Sequence, residues 1–142
     1  MKTRATDTSH IGRILKRADF LRLQQGIQDK TARKWITPHL IVQLGPGPAM
    51  PNDAAISCRY GITITKKIFP LAVDRNRMRR RLRPLILSVL VAMPGVTGYD
   101  LVVLPRGPAL KATPETLEKD LKWALKRLLS PEKEGNHPKN RA

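Results

Sequence analysis

Residues 75–83 read RNRMRRRLR, six arginines in nine positions. At helical spacing Asn76, Arg79, Arg80 and Arg83 fall at i, i+3, i+4 and i+7 and form one stripe. Met78, Leu82, Leu85 and Val89 fall on the opposite side, where they can bury against a core. A stripe of like charges repels itself unless a polyanion sits on it. Guanidinium forks match phosphate oxygens bidentately, and an asparagine amide reaches a base edge, a sugar or a phosphate. The chemistry on offer is phosphate recognition, and the partner it selects is RNA or DNA. The run is not isolated. Residues 59–83 hold nine lysines or arginines, Lys66 and Lys67 among them, against one acid, Asp74. That segment carries half of the formal net charge of +16 in under a fifth of the 142 residues. An ordinary solvated helix face mixes its signs. A single-signed, arginine-rich face favours nucleic acid.

Other chemistries find little support. Hydrolysis by two metal ions needs several convergent carboxylates, whereas Asp19, Asp53, Asp74 and Asp100 are scattered along the chain. No catalytic or metal-ligating residue is therefore expected in the protein itself. The single Cys58 cannot form an intrachain disulfide, and it excludes a structural zinc site that needs two or more cysteines. No run of about 18 apolar residues is present to insert into a membrane. The opening MKTRATDTSH has no apolar stretch of signal-peptide type, so the cytoplasm is the expected compartment.

The length suits one domain with one modest core, and 41% apolar composition permits it. Residues 1–12 are polar and unpatterned and read as a flexible basic arm. Residues 13–25 read as a short helix with Phe20, Leu23 and Ile27 at helical spacing and Gly26 as a stop. Residues 29–37 read as a basic loop carrying Trp35. Residues 38–44 read as a strand with His39 at its edge, followed by the turn-rich GPGPAMPND. Residues 55–65 alternate, with Ile56, Cys58, Tyr60, Ile62 and Ile64 on the apolar face. Cys58 is then an inert core thiol. Asp74 is placed as N-cap of the arginine helix, which runs toward Val91. Pro84 is expected to kink or break it near residues 80–84. Residues 99–104 form a continuous apolar strand. Thr113 caps a last helix with Pro114 at its first position. Leu117, Leu121, Ala124, Leu125 and Leu128 make its buried stripe, with Trp123 off that stripe and partly exposed. The helix ends at Ser130-Pro131, and residues 130–142 read as a disordered tail. The order is α-β-β-α-β-α, a single domain over residues 13–129.

At this point the residues resemble a known family. Thr65-Lys66-Lys67, then Ala72-Val73-Asp74-Arg75-Asn76-Arg77-Met78-Arg79-Arg80-Arg81-Leu82-Arg83, resembles the RNR signature of the bacterial ribonuclease P protein subunit. Arg13-Ile14-Leu15-Lys16-Arg17-Ala18-Asp19-Phe20 looks like its opening helix. Tyr99-Asp100-Leu101-Val102-Val103-Leu104-Pro105-Arg106 resembles its last strand, and residues 113–129 its final helix. The match runs in the right order over residues 13–129. The path Ile68-Phe69-Pro70-Leu71 departs from the family, being one residue longer and lacking its glycine.

The resemblance implies an α/β (α+β) two-layer sandwich, a small mixed sheet packed by helices. It also implies a left-handed crossover around the RNR helix, where sheet physics alone favours the right-handed form. It implies two RNA partners, a catalytic RNA subunit and precursor tRNA. Arg75, Asn76, Arg77, Arg79, Arg80 and Arg83 would face the catalytic RNA, with Lys66 and Lys67 at the edge. Phe20 would line a cleft for the 5′ leader of precursor tRNA, and Arg106 would join it in leader binding. Tyr60 and Trp35 are candidates to help with stacking, though core packing suits Phe20 and Tyr60 as well. Cleavage would be the work of the RNA with bound Mg2+, and the protein would be accessory. The competing reading is a basic structural module of ribosome-associated type, without a catalytic partner. A stand-alone nuclease ranks last.

Overall fold

The computed structural model describes residues 11–14, 17–47, 58–96 and 98–129. The expectations for residues 1–10, for the connector at 48–57 and for the tail at 130–142 lie outside them. Five strands and three α-helices follow in the order β1 (Ile11–Arg13), α1 (Arg17–Asp29), β2 (Arg33–Ile36), β3 (Leu40–Pro46), β4 (Cys58–Ile62), α2 (Ala72–Val91), β5 (Tyr99–Pro105) and α3 (Pro114–Leu128). The sheet order is β1-β4-β5-β3-β2. β5 is central, parallel to β4 and antiparallel to β3. The expected mixed sheet packed by helices forms, with helices on both of its faces rather than in two layers.

The two faces of the sheet are covered differently. Leu40 and Val42 of β3, Tyr60 of β4, and Leu101 and Val103 of β5 pack against α2 and α3. Those helices bring Met78, Leu82, Ile86 and Val89, and Leu117, Leu121, Ala124 and Leu125, all fully buried. The apolar stripes read from periodicity are the ones that pack. On the opposite face α1 covers only part of the sheet, through Leu23 with Ile14, Ala32 and Val102. Gly45 of β3 makes that approach close: a Cβ there would stand 2.6 Å from Leu23 Cδ1.

Several boundaries differ from the expectation, each for a tertiary reason. Ile11 and Gly12, assigned to the arm, lie in β1, which pairs in parallel with β4. The first helix therefore starts at Arg17. It also passes through Gly26, which is buried and closely approached: a Cβ there would stand 3.0 Å from Thr31 Oγ1. The chain turns instead at Lys30, a non-glycine residue at φ 68. The expected basic loop contains β2, pairing with β3 from Arg33–Leu44 to Ile36–Ile41. From this strand Arg33 Nη1 donates to the Leu128 carbonyl at 2.7 Å and closes the C-terminus of α3. Asp74 is not the N-cap. α2 begins at Ala72, with Leu71 in the cap position, and Asp74 lies in the first turn where its charge still suits the dipole. Pro84 neither breaks nor ends α2. It is exposed, while Leu82, Leu85 and Ile86 hold both flanks on the core. Thr113 caps α3 as expected, its side chain accepting from the Thr116 N–H.

α1 is tied to the sheet by charge. Asp100 of β5 is 2% exposed. Arg59 of β4 donates to it through Nη2 at 2.6 Å and Nε at 3.0 Å. From α1, Asp19 accepts from Arg59 at 3.3 Å and Arg22 donates to Asp100 at 3.3 Å. The hydrogen bond to Asp100 is the main cause that raises the Arg59 pKa above its ordinary value. Asp100→Asn leaves the Arg59 guanidinium under-compensated and should cost about 3–5 kcal/mol, read by urea denaturation. A loss under about 1 kcal/mol would show that the pair does not hold the sheet to α1.

Beside this pair, burial first and Asp100 second push the Cys58 thiol from 9.0 up to about 11. The sign follows from the folded value lying above the unfolded one. Stability from this group is complete below pH 9.0 and is lost as the pH rises toward 11. Near neutral pH the folded protein should resist thiol alkylation at Cys58, and labelling should appear on adding urea. Rapid labelling of the native state would contradict a core thiol.

Candidate nucleic-acid interface

The arginines of α2 divide into three groups. Arg75 and Arg81 serve the fold. Arg75 Nη1 donates to the carbonyls of Phe69 (2.9 Å) and Pro70 (3.0 Å), and Arg81 Nη1 donates to the Leu110 carbonyl at 3.1 Å. Arg77, Arg80 and Asn76 are exposed. Arg79 and Arg83 are half-buried and lean over the edge of the sheet beside Phe20. Arg83 Nε is buried with no hydrogen-bond partner among the described residues. Among the described residues, no carboxylate forms an ion pair with any arginine of the run. Asp74 is the one acid in this helix, so most of its positive charge is uncompensated from within.

Lys66 and Lys67 occupy an exposed turn between β4 and α2. Its far end is pinned by Phe69, 2% exposed, whose N–H donates to the Thr65 carbonyl at 3.0 Å. No residue of this connector has a positive φ. The missing glycine is accommodated because the longer path stays in conformations open to any residue.

A cleft of about 520 Å³ lies between α1, the sheet and α2. Arg17, Phe20, Leu21 and Gln24 of α1 form one wall; Gln43, Ile62, Val102 and Leu104 lie on the sheet, and Arg79 closes the α2 side. Phe20 is half-buried, and its ring rests on Gly61. A Cβ at Gly61 would stand 2.7 Å from Phe20 Cε1 and 2.8 Å from Cζ. Only a glycine admits the ring there. Sequence reasoning missed Gly61, although a lone glycine inside a strand pattern is the ordinary mark of a close approach.

The other expected positions scatter. Arg106 does not line this cleft: its Nη1 donates to the Thr37 carbonyl at 2.7 Å. Tyr60 is a core residue, 3% exposed. Trp35 is not available for base stacking. It is 4% exposed and meets Trp123 edge-on, with ring centroids 5.2 Å apart. β2 carries it inward, which a loop would not have done. Trp123 is exposed as expected. His39, expected as a plain edge residue, has its Nδ1 2.7 Å from Asp120 Oδ2 of α3. Among the described residues no three His, Cys, Asp or Glu side chains gather as metal ligands. No described helix is long and apolar enough to cross a membrane.

A basic helix packed on a mixed sheet, with a cleft lined by Phe20 beside it, gives an α/β protein with the surface of an RNA binder. The sequence model of one family, ribonuclease P, matches residues 10–129. The ribonuclease P protein component of Erythrobacter litoralis is 35% identical over 114 residues, covering 80% of this chain and 83% of that relative. That of Streptomyces bikiniensis is 34% identical over 120 residues, covering 82% and 91%. The solved RNase P protein of Staphylococcus aureus superposes with a TM-score of 0.57 at 26% identity, over 83% of this chain and 97% of that one. The Thermotoga maritima RNase P protein gives 0.58 at 25% identity, over 81% and 98%. The chain belongs to the bacterial ribonuclease P protein family. It is a protein component of that tRNA-processing endoribonuclease, and its partner is RNA.

The seat of Phe20 can be tested without any RNA. Gly61→Ala should cost about 1–3 kcal/mol by overpacking. In a Phe20→Ala background the same change should cost far less, giving a coupling of about 0.5–3 kcal/mol in a double-mutant cycle. Additive losses in thermal melts would mean that the ring does not rest on Gly61.

Proposed function

We propose that the exposed and edge-facing residues of α2 hold the catalytic RNA and that the cleft beside it takes the 5′ leader of precursor tRNA. The observation that carries this reading is the position of Arg79. It belongs to the basic helix and also closes the cleft that Phe20 lines. One RNA surface therefore runs from α2 into the cleft without interruption. Arg77, Arg80 and Asn76 contact backbone phosphate, with Arg79 and Arg83 at the junction and Lys66 and Lys67 at the edge. Arg75 contributes through the connector it ties down. Phe20 stacks on a leader base. Arg106 has no place in the cleft lining, so its part in leader binding is indirect at most. Cleavage is done by the RNA with bound Mg2+ in the cytoplasm. The absence of ion-paired carboxylates along the described α2 supports the protein's role as a counter-charge for two crowded RNAs.

Arg77 and Arg80 are exposed, so replacing both with Ala should barely move the melting temperature. It should weaken binding to the catalytic RNA and flatten the salt dependence by about 0.7–0.9 in slope per lost phosphate contact. An unchanged slope would remove α2 from the interface. The deciding assay is cleavage of precursor tRNA by the reconstituted holoenzyme at low magnesium. Phe20→Ala should raise KM for a long-leader substrate by the loss of one stack, about 1–3 kcal/mol. A substrate with almost no leader should be unaffected. Equal losses on both, with a lowered melting temperature, would return Phe20 to the core.

A further inference from the structure

The strongest feature that this function leaves unused is on the outer face of α3. Trp123 is 50% exposed, the larger of two tryptophans' surfaces and far off the leucine stripe. Lys119 and Lys126 stand at i−4 and i+3 from it and share its side of the helix, and Lys122 flanks it along the helix. Together with Thr37, Pro38 and Asp120 they line a shallow groove of about 400 Å³. The indole is not free to swing. Its ring meets buried Trp35 edge-on at an interplanar angle of 69°, and the Arg127 guanidinium lies 5.4 Å from one ring centroid and 5.6 Å from the other. An exposed aromatic held in place from behind loses little conformational freedom when something stacks on it.

We propose that this face is a second RNA contact, a platform on which one base of a single-stranded segment stacks against Trp123 while Lys119, Lys122 and Lys126 meet the flanking phosphates. Stacking on aromatics inside a basic groove is how single strands are held without sequence preference. Two acids stand nearby: Asp120 meets His39 Nδ1 at 2.7 Å, and Glu118 pairs with Lys122 Nζ at 3.4 Å on the exposed face, a weak solvent-exposed pair that a phosphate can displace. Lysine is depleted at protein–protein interfaces, so three around one tryptophan favour a polyanion over a protein partner. α3 packs on the same side of the sheet as α2, so RNA held by the arginine helix can continue onto it. The inference rests on RNA being the partner and is independent of the leader cleft.

The test uses the full chain and a short oligouridylate, with tryptophan emission and affinity as readouts. Variants are made in an Arg77→Ala/Arg80→Ala background, which removes exposed α2 contacts. The oligonucleotide should quench emission. Trp123→Ala should weaken binding by about fivefold to a hundredfold, the loss of one base stack. Trp123→Phe should restore most of it. Lys119→Gln/Lys122→Gln/Lys126→Gln should weaken binding and reduce its salt dependence. No quenching, or a Trp123→Ala variant that melts like its parent and binds as tightly, would overturn the proposal. If Trp123→Ala fails to fold, the lysine variant decides, and unchanged affinity there overturns it. Quenching by an acidic peptide but not by oligouridylate would mark a protein-docking groove and overturn it equally.

Discussion

β4, β5 and α1 meet at one buried carboxylate. Asp100 accepts from Arg59 across two parallel strands and from Arg22 of the helix above them. Two arginines against Asp100 and Asp19 keep the site balanced, which is what permits charge at 3% side-chain exposure. The position of α1 follows from this knot, because the apolar cluster on that face is small. Phe20 lies one residue beyond Asp19, so the ion pairs that fix the helix also fix the ring over Gly61. The cleft is in this sense an electrostatic construction built on a hydrophobic sheet.

The other face of the sheet obeys a different logic. α2 must bury Met78, Leu82, Ile86 and Val89 completely while carrying six arginines in nine residues. It manages both because the apolar and basic positions have the same helical period with opposite phase. The arginines are then not equivalent. Arg75 and Arg81 satisfy carbonyls of neighbouring loops, Arg79 and Arg83 border the cleft, and Arg77 and Arg80 are left to the solvent. A count of basic residues would treat as one patch what the fold has divided into scaffold and contact.

How much of this was legible in the sequence depended on period and length. α2 and α3 have long apolar stripes, and every stripe residue expected to be buried is buried. Thr113-Pro114 marked the start of α3 through local chemistry alone. β1 and β2 were not legible, since three or four residues such as Arg33-Lys34-Trp35-Ile36 show too little alternation and exist only through pairing with β4 and β3. That omission carried Trp35 into a loop and offered it for stacking. Pro84 does not break the helix: its local cost is real, but the burial on either side outweighs it. Within the site, the residue types on α2 were readable, whereas the pairing of Phe20 with Gly61 required the sheet register.

The strand order has a further consequence for how the protein comes into being. β5 is the central strand, yet it is the last strand in the chain. Until residues 99–105 leave the ribosome, β1-β4 and β3-β2 are two unconnected pairs, each with an unsatisfied inner edge. Strand pairings this far apart in sequence close slowly and late. The basic helix lies between β4 and β5 and emerges before the strand that completes its platform. A nascent chain therefore shows its arginines to the surrounding ribosomal RNA before it owns a folded surface to present them on, and the specific interface appears only when the last strand drops into the middle of the sheet.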